Sequence, residues 1–227
     1  MRVRALGFDF DHTLGIDNKL ERVAFLKLLE PMRSAGARAI VDLPLETAGI
    51  DALLADQRSG AFSIEEAVDR FVRAHGLSSG PQWVERYKRN ALDAVETFVV
   101  PMPGWIRLRD AMRSAQIPNA LLTNGWNPLQ VQKARSIGFD GPVVASGDIG
   151  VQKPAAAAFE KLAQALGVAA EGIWYVGDNP TADIAGARAT GMRGIWLDAE
   201  GVAYPETILP PTEVIHSLDE LTLRLER

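Results

Sequence analysis

Val3-Arg4-Ala5-Leu6-Gly7-Phe8-Asp9-Phe10-Asp11-His12-Thr13-Leu14 decides how this chain is read. Val3 to Phe10 is an apolar run that ends in acidic residues. It has the pattern of a strand buried on both faces of a parallel sheet, with chemistry at its carboxyl end. Aspartates and threonines also serve solvated turns and helix caps. A strand that runs straight into paired carboxylates has little structural need of them, so Asp9 and Asp11 are candidate functional groups.

Outward from this strand, the chain is mostly helical as far as Pro101. Periodicity predicts helices over Leu20 to Met32, over a segment opened by Ser63 with Glu66 three residues later, and over Pro81 to Val99. After Pro101-Met102-Pro103-Gly104 the rhythm changes to helices alternating with short apolar strands. Strands are expected at Ala120 to Thr123, Val143 to Ala145, Ile173 to Val176 and Gly194 to Leu197. Helices are expected at Trp105 to Ala115, Pro128 to Ser136, Ala155 to Leu166, Thr181 to Thr190 and near Leu218 to Leu225. Such alternation predicts an α/β fold with a doubly wound, Rossmann-like parallel sheet covered on both faces. The simplest division is a catalytic core of residues 1–15 and 103–227, with a helical insertion over 16–102.

Composition narrows the function. With 227 residues, 47% of them hydrophobic, the chain can bury a sizeable core. It contains no cysteine, which excludes disulfides, thiolate metal sites and a cysteine nucleophile, and which suits a reducing compartment. A net charge of -5 argues against a nucleic-acid partner, because phosphate-backbone binding needs a basic face. No uncharged run approaches the roughly 18 apolar residues of a membrane span, so a soluble cytoplasmic protein without membrane contact is expected.

Ligands of open α/β sheets bind at the carboxyl ends of the strands. Polar clusters stand at or just past four such ends. They are Asp9-Phe10-Asp11-His12-Thr13-Leu14, Thr123-Asn124-Gly125, Lys153-Pro154, and Gly177-Asp178-Asn179-Pro180-Thr181-Ala182-Asp183. In this order the four clusters resemble the haloacid dehalogenase superfamily, whose members mostly hydrolyse phosphate esters. The resemblance covers the α/β portion. The helical insertion matches in position and character only, and is similar to the helical cap of that superfamily's first subfamily.

The residues themselves suit that chemistry. A carboxylate attacking an anionic phosphate ester needs a cation to neutralise both, and Mg²⁺ suits oxygen ligands. Asp9 and Asp178 can supply carboxylate ligands, and the resemblance implies the Asp11 backbone carbonyl as another. Asp9, ionised at neutral pH, can attack phosphorus directly and form an aspartyl-phosphate. Asp11, two residues on, can protonate the leaving oxygen and later deprotonate water. The Thr123 hydroxyl, the Asn124 backbone N–H and the Lys153 ammonium are donors suited to the phosphoryl oxygens, and Lys153 also restrains Asp9. Asp183 is expected to orient Lys153 or a metal-bound water, and Thr13 to bond within the loop or to Asp9. His12 reads as a solvent-facing loop residue and Trp126 as packing.

Within the superfamily, dehalogenation has no leaving alkoxide to protonate, so Asp11 counts against it. Phosphomutase activity differs only in returning the phosphoryl group to a sugar. A non-catalytic binding protein would not need Asp9, Asp11, Lys153 and Asp178 together. The expected substrate is a small phosphorylated metabolite closed over by the helical insertion, and the expected assembly is a monomer or homodimer.

Overall fold

The computed structural model describes residues 3–38, 42–58 and 60–225. In chain order its elements are β1 (Ala5–Phe8), β2 (Gly15–Ile16), α1 (Leu20–Leu26), α2 (Leu29–Ser34), α3 (Leu43–Arg58), α4 (Ile64–Ala74) and α5 (Pro81–Phe98). There follow β3 (Val100–Pro101), α6 (Trp105–Ser114), β4 (Asn119–Thr123), α7 (Leu129–Ser136), β5 (Val143–Ala145), α8 (Ser146–Ile149), α9 (Ala156–Leu166) and β6 (Ile173–Gly177). A wide π-type turn, Pro180–Ala185, leads into α10 (Gly186–Ala189), then β7 (Arg193–Leu197), β8 (Glu213–Ile215) and α11 (Leu218–Leu225). These elements form two compact units, Met1–Asp17 with Val99–Arg227, and Asn18–Phe98.

The first unit carries a six-stranded sheet in the order β5-β4-β1-β6-β7-β8, and every neighbouring pair is parallel. The expected α/β, doubly wound class is the one observed. β1 lies inside the sheet because all four of its residues are buried, leaving no face for water. In register, Gly7 lies beside Tyr175 and Phe8 beside Val176, so successive residues face opposite helical layers. On one face Tyr175 meets Phe159 of α9 edge to face at 5.0 Å. On the other, Phe8 meets Trp105 of α6 edge to face at 6.4 Å, and the Trp105 indole N–H donates to the Ile137 carbonyl at 2.8 Å. Gly7 is small of necessity: a Cβ there would stand 2.6 Å from Leu162 and 2.9 Å from Tyr175.

Several elements depart from the sequence expectation. The helix expected over Leu20 to Met32 is broken into α1 and α2. Pro31 explains the break, because it offers no N–H to the carbonyl four residues back and its ring crowds that carbonyl, yet it is tolerated in the first turn of a new helix. α3 has only Ile50 and Leu54 buried, which leaves a weak periodic signal. β2 and β3 form an antiparallel two-residue ribbon too short to show as a pattern. β8 is a three-residue edge strand in which only Ile215 is buried. The helix expected from Thr181 opens instead as the wide turn, for a reason that lies in the site.

The second unit is helical. α1 packs on α5 and α3, and α4 packs on α3 and α5. Phe25 anchors its core, with ring centroids 5.1 Å from Phe71 and 4.6 Å from Tyr87. The Tyr87 hydroxyl is satisfied by donating to Glu21 Oε1 at 3.1 Å. Ser63 caps α4 as its sequence predicts, accepting the Glu66 backbone N–H at 3.3 Å. Among the described residues no helix is long and apolar enough to cross a membrane.

The cap gives a direct test. Ser63→Ala leaves that N–H without its protein acceptor and is expected to lower stability by about 1 kcal/mol, read from the denaturant midpoint at unchanged m-value.

Candidate active site

The central sheet order brings the ends of β1, β4 and β6 side by side, and the loop after β5 folds in beside them. Beyond β1 the ladder continues for one residue, with the Asp9 N–H donating to the Val176 carbonyl at 2.9 Å. The chain then turns sharply. The Phe10 carbonyl accepts from the N–H groups of Thr13, Leu14 and Gly15, and the His12 N–H donates to the Gly15 carbonyl at 2.8 Å. His12 sits at φ 59° and is exposed, as expected of a loop residue. Gly15 permits the closure, since a Cβ would fall 2.5 Å from the Phe10 ring. Thr13 bonds within the loop through its backbone N–H and not through its side chain. Backbone groups close the turn, and its Oγ1 is left buried without a hydrogen-bond partner among the described residues.

At the centre lies the Lys153 ammonium, only 6% exposed. It donates to Asp9 Oδ1 at 2.5 Å, to Asp183 Oδ1 at 2.6 Å and to the Tyr175 hydroxyl at 3.2 Å. Asp183 reaches it because the wide turn swings this carboxylate back beneath β6, where Oδ2 also accepts the Asn179 N–H at 3.0 Å. The Asn179 carbonyl accepts from both Asp183 and Ile184, which gives the turn its width. Gly177 leaves the needed space, since a Cβ there would overlap the Asp183 carboxylate.

Asn124 adds something that sequence reading missed. Its side chain clips the backbone of Lys153 at both ends: Oδ1 accepts the Lys153 N–H at 2.9 Å and Nδ2 donates to the Lys153 carbonyl at 3.2 Å. The residue read as a phosphate donor thus also holds the lysine loop. The Gly125 N–H is taken by Ser146 Oγ at 2.9 Å. The Thr123 hydroxyl, 1% exposed, donates over a long 3.4 Å to Gln130 Oε1.

Two further groups stand at the site. Tyr175 donates to the Leu122 carbonyl at 3.1 Å and accepts from the Lys153 ammonium. Lys133 donates to Asp11 Oδ1 at 2.5 Å and to Asp17 Oδ2 at 3.4 Å. Helical register could have exposed Lys133, because it stands four residues after Leu129 and four before Ile137, on the core face of α7.

One cluster could hold a metal. Asp9, Asp178 and Asp183 each bring a carboxylate oxygen within 4.8 Å of the others. Burial pushes the Asp178 carboxyl up to about 8, and the neighbouring charges of Asp9 and Asp183 add to the shift. Burial likewise raises Asp9, against the opposing pull of Lys153. For Lys153 burial acts downward, but Asp183 and Asp9 outweigh it and hold the ammonium well above the ordinary lysine range. Desolvation raises Asp11 against the pull of Lys133, with Asp17 and Asp9 adding to the rise. Three acids facing one lysine are an all-oxygen donor set one cation short of balance, which fits a hard divalent ion.

Comparison with known proteins agrees with this geometry. Residues 150–221 match the HAD-hydrolase-like family model. The chain is 43% identical over 82 residues to a phosphoserine phosphatase of Thermus thermophilus, covering 35% of this chain and 33% of that protein. It is 33% identical over 138 residues to the pyrimidine 5′-nucleotidase YjjG of Escherichia coli, covering 57% of this chain and 60% of that protein. These alignments thus span about a third and about three fifths of the two relatives. Over the full length of both chains the fold is similar to that of the magnesium-bound putative HAD-hydrolase YfnB of Bacillus subtilis, with a TM-score of 0.73 at 24% identity. A parallel sheet that gathers Asp9, Thr123, Lys153 and Asp178 at its strand ends, joined to these matches, makes the chain similar to hydrolases of the haloacid dehalogenase superfamily.

Proposed function

We propose that this chain hydrolyses small phosphate monoesters through a phosphoryl group carried on Asp9. The observation that carries the reading is the buried Asp9 carboxylate, gripped by Lys153 at 2.5 Å and grouped with Asp178 and Asp183 in a cluster whose carboxylates outnumber its one ammonium. The names of the two relatives support it, since phosphoserine and pyrimidine 5′-nucleotides are both phosphate monoesters of small metabolites. A cytoplasmic setting belongs to the same reading.

Asp9, Asp178 and the Asp11 backbone carbonyl are the groups that would hold Mg²⁺. When bound, the ion screens the attacking carboxylate from the phosphoryl anion and polarises the phosphoryl oxygen. The chain's own groups do the rest. An Asp9 carboxylate oxygen attacks phosphorus while the bond from phosphorus to the ester oxygen breaks, and Asp11 gives that oxygen its proton. Asp11 then takes a proton from the water that attacks phosphorus, releasing inorganic phosphate and restoring Asp9. Lys153, the Thr123 hydroxyl and the Asn124 N–H face the charge on the non-bridging oxygens. Asp183, the second carboxylate on the ammonium, keeps Lys153 aimed at Asp9.

Phosphate release from a panel of nucleoside monophosphates, phosphoamino acids and sugar phosphates tests the reading. Release is expected to require Mg²⁺ and to vanish in Asp9→Asn, and Asp11→Asn is expected to lower turnover of alkyl esters by about 100-fold or more. No release from any ester would contradict it.

A pH dependence follows from Asp178. The folded, metal-free protein keeps its proton to about pH 8, while the unfolded chain loses it near 3.8. Between these values the unfolded state binds fewer protons, so this group makes stability fall as pH rises. Asp178→Asn should remove that fall in denaturant titrations of the metal-free protein. Mg²⁺ must displace the same proton, so its affinity measured by calorimetry should rise by about tenfold per pH unit from pH 6 and level off above 8. A flat profile would contradict the assignment of Asp178 as a ligand.

A further inference from the structure

Lys133 is 2% exposed in its side chain, and the proposed chemistry makes no use of it. An ammonium so placed must be held by charge, because desolvating it alone is costly. Two carboxylates hold it, Asp11 at 2.5 Å and Asp17 at 3.4 Å. Its ammonium also lies 5.0 Å from the centroid of the Phe10 ring, within the turn that carries Asp11. Asp17 is itself 11% exposed in its side chain and Asp11 is 35% exposed. The grip is therefore asymmetric: Lys133 and Asp17 are fixed in the interior, and they fix one oxygen of a carboxylate that otherwise reaches the surface.

Helix α7 explains why the lysine sits there. Its buried face presents Leu129, Gln130, Lys133 and Ala134. The same face that brings Gln130 to the Thr123 hydroxyl brings Lys133 to Asp11, so one helix supports two strand-end groups. An Asp on a sharp turn has several rotamers open to it. Proton transfer to a leaving oxygen needs one of them, within hydrogen-bond reach.

We propose that Lys133 is a positioning residue, holding Asp11 by Oδ1 so that its second oxygen serves the leaving group and the incoming water. This rests on the assignment of Asp11 as the acid and base of the proposed reaction. In this role Lys133 acts through Asp11 and not on the substrate itself, and Asp17 is the second carboxylate that braces it.

The test uses leaving groups. A 4-nitrophenyl ester departs without a proton, whereas an alkyl phosphate such as a sugar phosphate needs one. kcat/KM reports only the steps through formation of the phosphoryl-aspartate, so it isolates the acid role from the later attack of water. Lys133→Met is expected to lower kcat/KM for the alkyl ester by at least about tenfold more than for the aryl ester, since small misplacements of a catalytic group cost up to about 100-fold. In an Asp11→Asn background the same substitution should cost nothing further on the alkyl ester. Equal losses on both esters, or losses that multiply in the double variant, would overturn the proposal and leave Lys133 as a packing residue. Should Lys133→Met not yield folded protein, Lys133→Gln carries the same comparison. The outcomes separate the two readings. Wild type inert on every ester sinks the phosphatase assignment, and Asp11→Asn with undiminished alkyl turnover sinks the acid role of Asp11. A defect in Asp11→Asn without a selective one in the Lys133 variant sinks only the inference drawn here.

Discussion

The buried ion pair between Lys153 and Asp9 is the constraint on which the rest depends. A lysine taken out of water at the end of a parallel sheet is tolerable only if its charge is met by several well-placed acceptors. Here they come from three segments: Asp9 after β1, Tyr175 within β6, and Asp183 from the turn after β6. Satisfying one ammonium therefore fixes where three pieces of chain end. The local oddities of the fold follow from it. The turn at Pro180–Ala185 widens so that Asp183 can reach back, and Gly177 lacks a side chain so that the carboxylate has room. Asn124 clips the lysine's own backbone so that the loop after β5 cannot drift.

The same arrangement leaves an excess of negative charge. Asp9, Asp178 and Asp183 crowd one another, and Lys153 offsets only part of their repulsion. A folded protein can tolerate this by holding a proton on Asp178 or by taking up a cation. The raised carboxyl of Asp178 records the first solution, and the all-oxygen donor set prepares the second. Stability is given up at the site, and what is gained is a preorganised set of carboxylate oxygens suited to a hard cation.

Much of this was legible in the sequence, because strand-end chemistry combines two strong signals. An apolar run is readable as a buried strand, and Asp9, Asp11, Lys153 and Asp178 are residue types that such a position does not otherwise call for. The alternating pattern after Pro103 gave the sheet, whose strands at Val143–Ala145 and Ile173–Gly177 lie where periodicity places them. Three kinds of feature were hidden. Very short elements such as β2, β3 and β8 hold too few residues to show a period. Pro31 is visible in the sequence, yet whether a proline bends a helix or begins a new one depends on tertiary packing. Groups that act through others, such as Tyr175, Gln130 and Lys133, look like ordinary strand or helix residues until the distances to their partners are known. Lys133 alone left a trace, as a charge on the apolar face of α7.

The central claim is that Asp9 carries the phosphoryl group between substrate and water. It is tested most directly by mixing the protein with Mg²⁺ and a phosphorus-labelled ester, quenching in acid during turnover, and mapping the label by peptide mass spectrometry. The account predicts label on the peptide containing Asp9, cleared by a chase of unlabelled ester and absent in Asp9→Asn. Steady release of phosphate with no labelled protein at any quench time, or label on another residue, would contradict it.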